Sequence, residues 1–103
     1  MSVRASLERS LSALPELERR PSRYSDSDSY FVGDREIAHF HRDSRMDVRL
    51  TKEAIRRLKS ERALDHRVRT RGPSAEWAEV RVGEEKDIPY AIYLVEEAIR
   101  ANS

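Results

Sequence analysis

Two histidines one residue apart, His39 and His41, followed closely by Asp47 and Arg49, are the residues of this chain whose types and spacing could do chemistry. Alternate side chains of a strand share a face. His39-x-His41 therefore sets two imidazoles about 6.6 to 7 Å apart at the backbone, from where both can reach one metal ion through bonds near 2.0 to 2.1 Å. Two ligands do not make a metal site, and Asp47 and His66 would have to converge from neighbouring strands. Ordinary sheet histidines with no metal are the expected reading. A second chemistry uses His39 or His41 as a general base oriented by Asp47, with Arg49 holding an anionic group of a ligand. Asp47 and Arg49 also suit a plain salt bridge on a solvated face. The serines lie in loops without a nucleophile-elbow pattern, so no nucleophile stands out.

These side chains act together only if they leave the same face of a sheet, and that depends on register. Tyr30, Phe31 and Val32 favour a strand, Gly33 and Asp34 a two-residue reversal, and Arg35 to His41 a returning strand. Met46 to Leu50 forms a third strand, with Met46, Val48 and Leu50 on one face and Asp47 and Arg49 on the other. An even connecting loop sets His41 opposite Met46 and His39 opposite Val48, which buries both rings. A three-residue loop at Arg42, Asp43 and Ser44 pairs His41 with Arg45 and His39 with Asp47, and gathers Ala38, Phe40, Met46, Val48 and Leu50 on one core face. The cleaner apolar segregation favours the second register. It asks for a positive φ at Ser44 and sends Ile37 to the polar side.

The remaining elements frame this meander. Val3, Leu7, Leu11 and Leu14 recur at helical spacing, Pro15 interrupts, Leu17 to Arg20 are read as a further turn, and PSRYSDSDS (residues 21–29) as an exposed, flexible loop. Thr51 caps a short helix over Lys52 to Lys59 that buries Ala54, Ile55 and Leu58. Leu64 to Thr70 and Trp77 to Val82 read as two strands joined at Gly72 and Pro73. Ala78, Val80 and Val82 face inward, and Trp77, Glu79 and Arg81 outward, the first two as possible neighbours of the histidines. A last helix starts near Asp87, tolerates Pro89 in its first turn and buries Ile88, Ala91, Ile92, Val95, Ala98 and Ile99. The expected architecture is α+β, in chain order α-β-β-β-α-β-β-α, with a five-stranded antiparallel sheet and helices packed on one face. Residues 1–29 form an N-terminal helix and loop, and 30–103 the main domain of a single globular unit.

Composition narrows the function classes. The 103 residues suit one core. Twenty basic against nineteen acidic side chains leave a formal charge of +1, which provides no general attraction to nucleic acid or anionic lipid. The locally basic run of Arg56, Arg57, Lys59, Arg62, Arg67, Arg69 and Arg71 lacks interleaved aromatics, so a nucleic-acid partner is not expected. Without cysteine there is no thiolate catalysis and no disulfide. No apolar run reaches membrane-span length, and Arg4, Glu8 and Arg9 interrupt the place of a signal peptide, so a cytoplasmic location is expected. The thin apolar fraction, 38%, makes a homodimer the expected assembly.

From Phe31 onward the succession FVG-x-REIAHFH-x-D, then DVRL at residues 47–50, a short helix, Asp65-His66, Trp77 and a closing helix resembles a family of small bacterial luciferase-like domains, named for similarity to a fungal luciferase. Ser44 stands where members often carry glycine. The resemblance implies an oxygen-dependent oxidation of a small aromatic compound, with His39, His41, Asp47, Arg49, His66 and Trp77 as its motif residues. The combined reading is a histidine-containing sheet-face site for a small anionic or aromatic ligand, formed by His39, His41, Asp47, Arg49 and Trp77. His39, His41 and His66 are the catalytic candidates, and no cofactor or metal is assigned. The alternatives are a luciferase-related oxidoreductase and a homodimeric interaction module in which a second subunit covers Trp77.

Overall fold

The alternation of apolar and polar residues that separates the two faces of the meander also decides where the helices go. In a computed structural model that describes residues 2–22, 28–42 and 44–103, Tyr30, Ala38, Phe40, Met46, Val48, Ala78 and Val80 supply one face of a sheet to a single core. The apolar stripes of all three helices close over that face.

The elements in chain order are α1 (Val3–Ser12), β1 (Glu18–Pro21), β2 (Asp28–Val32), β3 (Arg35–Arg42), β4 (Arg45–Arg49), α2 (Lys52–Ser60), β5 (Val68–Thr70), β6 (Trp77–Arg81), a single 3₁₀ turn (Glu85–Asp87) and α3 (Ile88–Ala101). The fold is α+β with an antiparallel sheet, as expected, but the sheet has six strands, not five, in the order β1-β2-β3-β4-β6-β5. The additional strand is β1, where the sequence suggested a helical turn. Its residues are largely exposed and carry no apolar alternation, so only the ladder to β2 makes it a strand, and Pro21 is tolerated because β1 is an edge. Asp28 and Ser29 belong to β2 rather than to the expected loop, whose residues 23–27 lie outside the described residues. Leu64 to Arg67 are likewise not strand; β5 is confined to three residues.

Helix termini follow local chemistry. The Ser2 hydroxyl accepts from the Ala5 amide at 3.0 Å to cap α1, which buries Leu7 and Leu11. The Thr51 hydroxyl accepts from the Ala54 amide at 3.3 Å, while Glu76 receives the Thr51 amide on its carbonyl at 2.9 Å and the Lys52 amide on its carboxylate at 2.7 Å. This ties the start of α2 to the entry of β6 and holds Thr51 at φ 77°, a region unfavourable for a β-branched residue. In α3, Ala91, Leu94, Val95 and Ala98 are fully buried, and Ile92 only partly so. Leu94 is the core position that the helical period, anchored on Ile88, Ile92 and Val95, did not reveal. Among the described residues no helix is long and apolar enough to cross a membrane.

Two irregularities in β3 set the faces. Tyr30 pairs with Ala38 and Phe31 with Glu36, leaving Ile37 as an extra residue; a bulge of this kind turns two successive side chains to the same side. Ile37 and Ala38 thus both enter the core, and Ile37 is fully buried instead of exposed on the polar side. Further along, Ala38 pairs with Val48, His39 with Asp47 and Phe40 with Met46, but Arg45 pairs with Arg42, so His41 is the extra residue. The extra residue of the ladder is therefore taken up within β3, at His41.

Candidate functional site

With the helices on one side, the opposite face of the sheet is left to polar side chains. One row crosses all six strands in register: Arg20, Ser29, His39, Asp47, Glu79 and Arg69, from β1 to β5. Residues directly opposite each other on antiparallel strands share a face, so this row is continuous. Phe31 lies on the same side, buried but apart from the core cluster, with the Arg20 guanidinium 4.3 Å over its ring.

At the centre of the row the His39 Nε2 lies 3.0 Å from Asp47 Oδ2, and the His39 ring meets Trp77 with centroids 5.1 Å apart. The other ring nitrogen, Nδ1, is shut off from solvent without a hydrogen-bond partner, 3.9 Å from Glu36 Oε1. Neither nitrogen of His39 offers a free lone pair to an approaching ligand, so the contribution of His39 is the face of its ring against Trp77. His41, released by its bulge, reaches across β4: its Nδ1 lies 3.3 Å from Glu79 Oε2 and 3.9 Å from Asp47 Oδ2. Arg45 sets Nη1 3.5 Å from the other oxygen of Glu79. The expected pairing of His39 with Asp47 therefore holds, and that of His41 with Arg45 gives way to the bulge.

Trp77 divides two depressions. The first, about 500 Å³, is lined by His39, Asp47, Glu79 and Trp77 together with Arg69 and Arg71. Among the described residues neither of these arginines has an ion-pair partner, and both are exposed residues. The second, about 730 Å³, runs past Phe31, Glu36, Arg49 and Asn102 and holds no histidine. Arg49 belongs to this side of Trp77. It donates to Asn102, whose own amide nitrogen donates to the Arg49 carbonyl at 2.8 Å, so the guanidinium is tied to the end of α3 and does not pair with Asp47.

His66 does not join the other histidines. It is exposed at a third depression, with Arg67, Arg81, Gly83, Glu84 and Asp87. There Arg67 bridges Asp65 (2.6 Å) and Asp87 (3.0 Å) and lies 4.2 Å above the Tyr90 ring. The Arg67 hydrogen bonds hold the Asp65 carboxyl below the ordinary carboxylate range and raise the guanidinium in turn. Burial pushes the Asp87 carboxyl up, but Arg67 and the Gly83 and Glu84 amides outweigh it and hold it low. This cluster fastens the 3₁₀ turn to β5. The basic run, not expected to form a nucleic-acid surface, is divided among several settings: Arg57 pairs with Glu61 and Glu97, Lys59 bonds Thr70, Arg67 bridges Asp65 and Asp87, and Arg69 and Arg71 line the groove.

The part of this face that runs from the β2–β3 turn onward falls within a known family: the Luciferase domain family matches the chain over residues 34–98, well over half its length. The chain belongs to the Luciferase domain family. No curated protein and no solved structure matches it. The matched segment of the Luciferase domain contains His39, His41, Asp47, Arg49, His66 and Trp77, while α1, β1 and β2 lie before it. All three are nevertheless built into the same molecule, α1 through the burial of Leu7 and Leu11 in the common core, β2 through its ladder to β3, and β1 through its ladder to β2. Glu79, Arg69 and Arg71 complete the face. The Trp77-x-Glu79 alternation gave a sign of the first. Nothing local announced the two arginines, because their position depends on β5 pairing outside β6.

Proposed function

We propose that this Luciferase domain binds a small planar aromatic ligand carrying an anionic group, in the groove between Trp77 and the β5 edge. The observation that carries the reading is the combination, in one groove, of an aromatic wall made by Trp77 with His39 and two arginines, Arg69 and Arg71, without a carboxylate partner. An aromatic ring stacks on the wall, and a guanidinium fork suits a carboxylate or phenolate oxygen. Asp47, Glu76 and Glu79 line the same groove, which disfavours ligands with negative charge on both ends. The expected set of His39, His41, Asp47, Arg49 and Trp77 is thereby refined: Arg69 and Arg71 take the anion-holding role foreseen for Arg49.

Trp77 is the chain's only tryptophan and borders both depressions, so its fluorescence reports binding in either, and loss of quenching in an Arg69→Ala, Arg71→Ala double variant assigns it to this groove. Titration with 4-nitrobenzoate, an aromatic carboxylate that quenches indole emission, should give saturable quenching, and the neutral 4-nitrobenzamide should not saturate. A charge-assisted hydrogen bond contributes about 1.5 to 3 kcal/mol, so the Arg69→Ala, Arg71→Ala double variant should bind roughly ten- to a hundredfold more weakly. Equal, non-saturating quenching by both compounds removes the proposal. If emission instead shifts with protein concentration and resists the quencher, a second copy of the chain covers Trp77 and the interaction-module reading replaces it.

Family membership favours a second reading on the same groove, an oxygen-dependent oxidation of a small aromatic compound. Oxygen uptake with catechol as the probe, above the protein-free rate and lost in Trp77→Ala, supports it; no uptake above that rate counts against it.

A further inference from the structure

The bulge in β3 frees His41 from direct pairing with β4 and lets its ring cross to β6. As a result His41, Asp47 and Glu79, from three adjacent strands, each present one donor atom, and the three lie within 4.8 Å of one another. We propose that these three residues bind a first-row divalent cation of the Zn²⁺ or Mn²⁺ type.

Geometry carries the argument. An ion with bonds of about 2.0 to 2.2 Å holds its ligands roughly 3 to 3.5 Å apart, according to whether it is octahedral or tetrahedral. His41 Nδ1 and Glu79 Oε2, at 3.3 Å, already meet that separation. His41 Nδ1 and Asp47 Oδ2, at 3.9 Å, reach it by a small rotation of a partly exposed side chain. Two carboxylates and one neutral imidazole balance the charge of a divalent ion. An imidazole with two carboxylates and no sulfur favours borderline metals over both thiophilic ions and calcium. The surroundings fit a ligand set as well. The His39 ring contacts the Asp47 carboxylate, and Arg45 holds the Glu79 oxygen that is not directed at His41, so each acidic ligand has a neighbour that fixes its orientation. Three protein ligands leave coordination positions open, as reactive metal sites require, and Asp47 and Glu79 also line the groove beside Trp77. The site does not depend on the aromatic-ligand reading.

The experiment is isothermal titration of the chelator-treated full chain with Zn²⁺, and separately with Mn²⁺ followed by electron paramagnetic resonance, with no aromatic compound present. One ion per chain is expected, with affinity reduced at least about tenfold in both His41→Ala and Glu79→Gln and unchanged in His66→Ala. Circular dichroism of each variant reports whether it is folded, and Glu79→Gln preserves side-chain shape where His41→Ala disturbs packing. Ca²⁺ at the same concentration should not displace the ion. Absence of saturable binding overturns the proposal, as does binding that survives both His41→Ala and Glu79→Gln in folded protein or that disappears with His66→Ala. Because no aromatic probe is used, failure here and failure of the 4-nitrobenzoate titration are separate results.

Discussion

At the scale of single residues, the polar face and the core make opposite demands, and Asp87 shows how a charged side chain is kept inside. It is 8% exposed, accepts the Gly83 and Glu84 amides at 3.1 and 3.0 Å, and faces Arg67. Asp87→Ala leaves two amides without their acceptor and Arg67 with Asp65 alone, and should cost about 1 to 3 kcal/mol, read as a lowered urea midpoint. In the core, Leu94→Ala removes a fully buried side chain from the middle of α3 and should cost roughly 2 to 5 kcal/mol by the same measurement. The residue types of the candidate site were legible: His39, His41, Asp47 and Trp77 do share the polar face. The side of Arg49 was legible, but its tether to Asn102 was not, because it joins residues 53 positions apart.

At the scale of elements, periodicity located most of the structure and failed where elements are short. Helix α2 was readable from Thr51, whose cap is local. Thr51→Ala removes the hydroxyl that receives the Ala54 amide and should lower stability by about 1 kcal/mol, seen as a drop in the thermal midpoint. Strand β1 was not readable, since an exposed edge strand needs no apolar alternation and owes its conformation to β2. The two bulges of β3 had no signal either. Each adds one residue to a strand without changing its composition, yet one moves Ile37 into the core and the other sends His41 to Glu79.

At the scale of the whole molecule, ion pairs join α2 to α3 and the 3₁₀ turn to the segment entering β5, and this gives stability a predictable pH dependence. Arg57 and Arg100 hold the Glu97 carboxyl below its ordinary range, as Arg67 does for Asp65 and, against burial, for Asp87. Carboxyls with depressed folded-state values bind protons more readily when unfolded, so their contribution is complete above the ordinary carboxylate range and declines as pH falls through it toward the depressed values. The urea midpoint should therefore be flat near neutrality and fall on acidification below about pH 4 to 5. The Asp87→Ala variant should show a shallower fall. The sequence by itself determined the α+β class, the core face of the meander and α3, because each rests on a period of two or 3.6 within one continuous segment. Only the tertiary structure decided that β6 lies between β4 and β5, that His41 meets Glu79 while His66 stands elsewhere, and that Arg69 and Arg71 border Trp77. Those outcomes depend on which strands become neighbours and where a ladder gains an extra residue, and neither is encoded in any single local pattern.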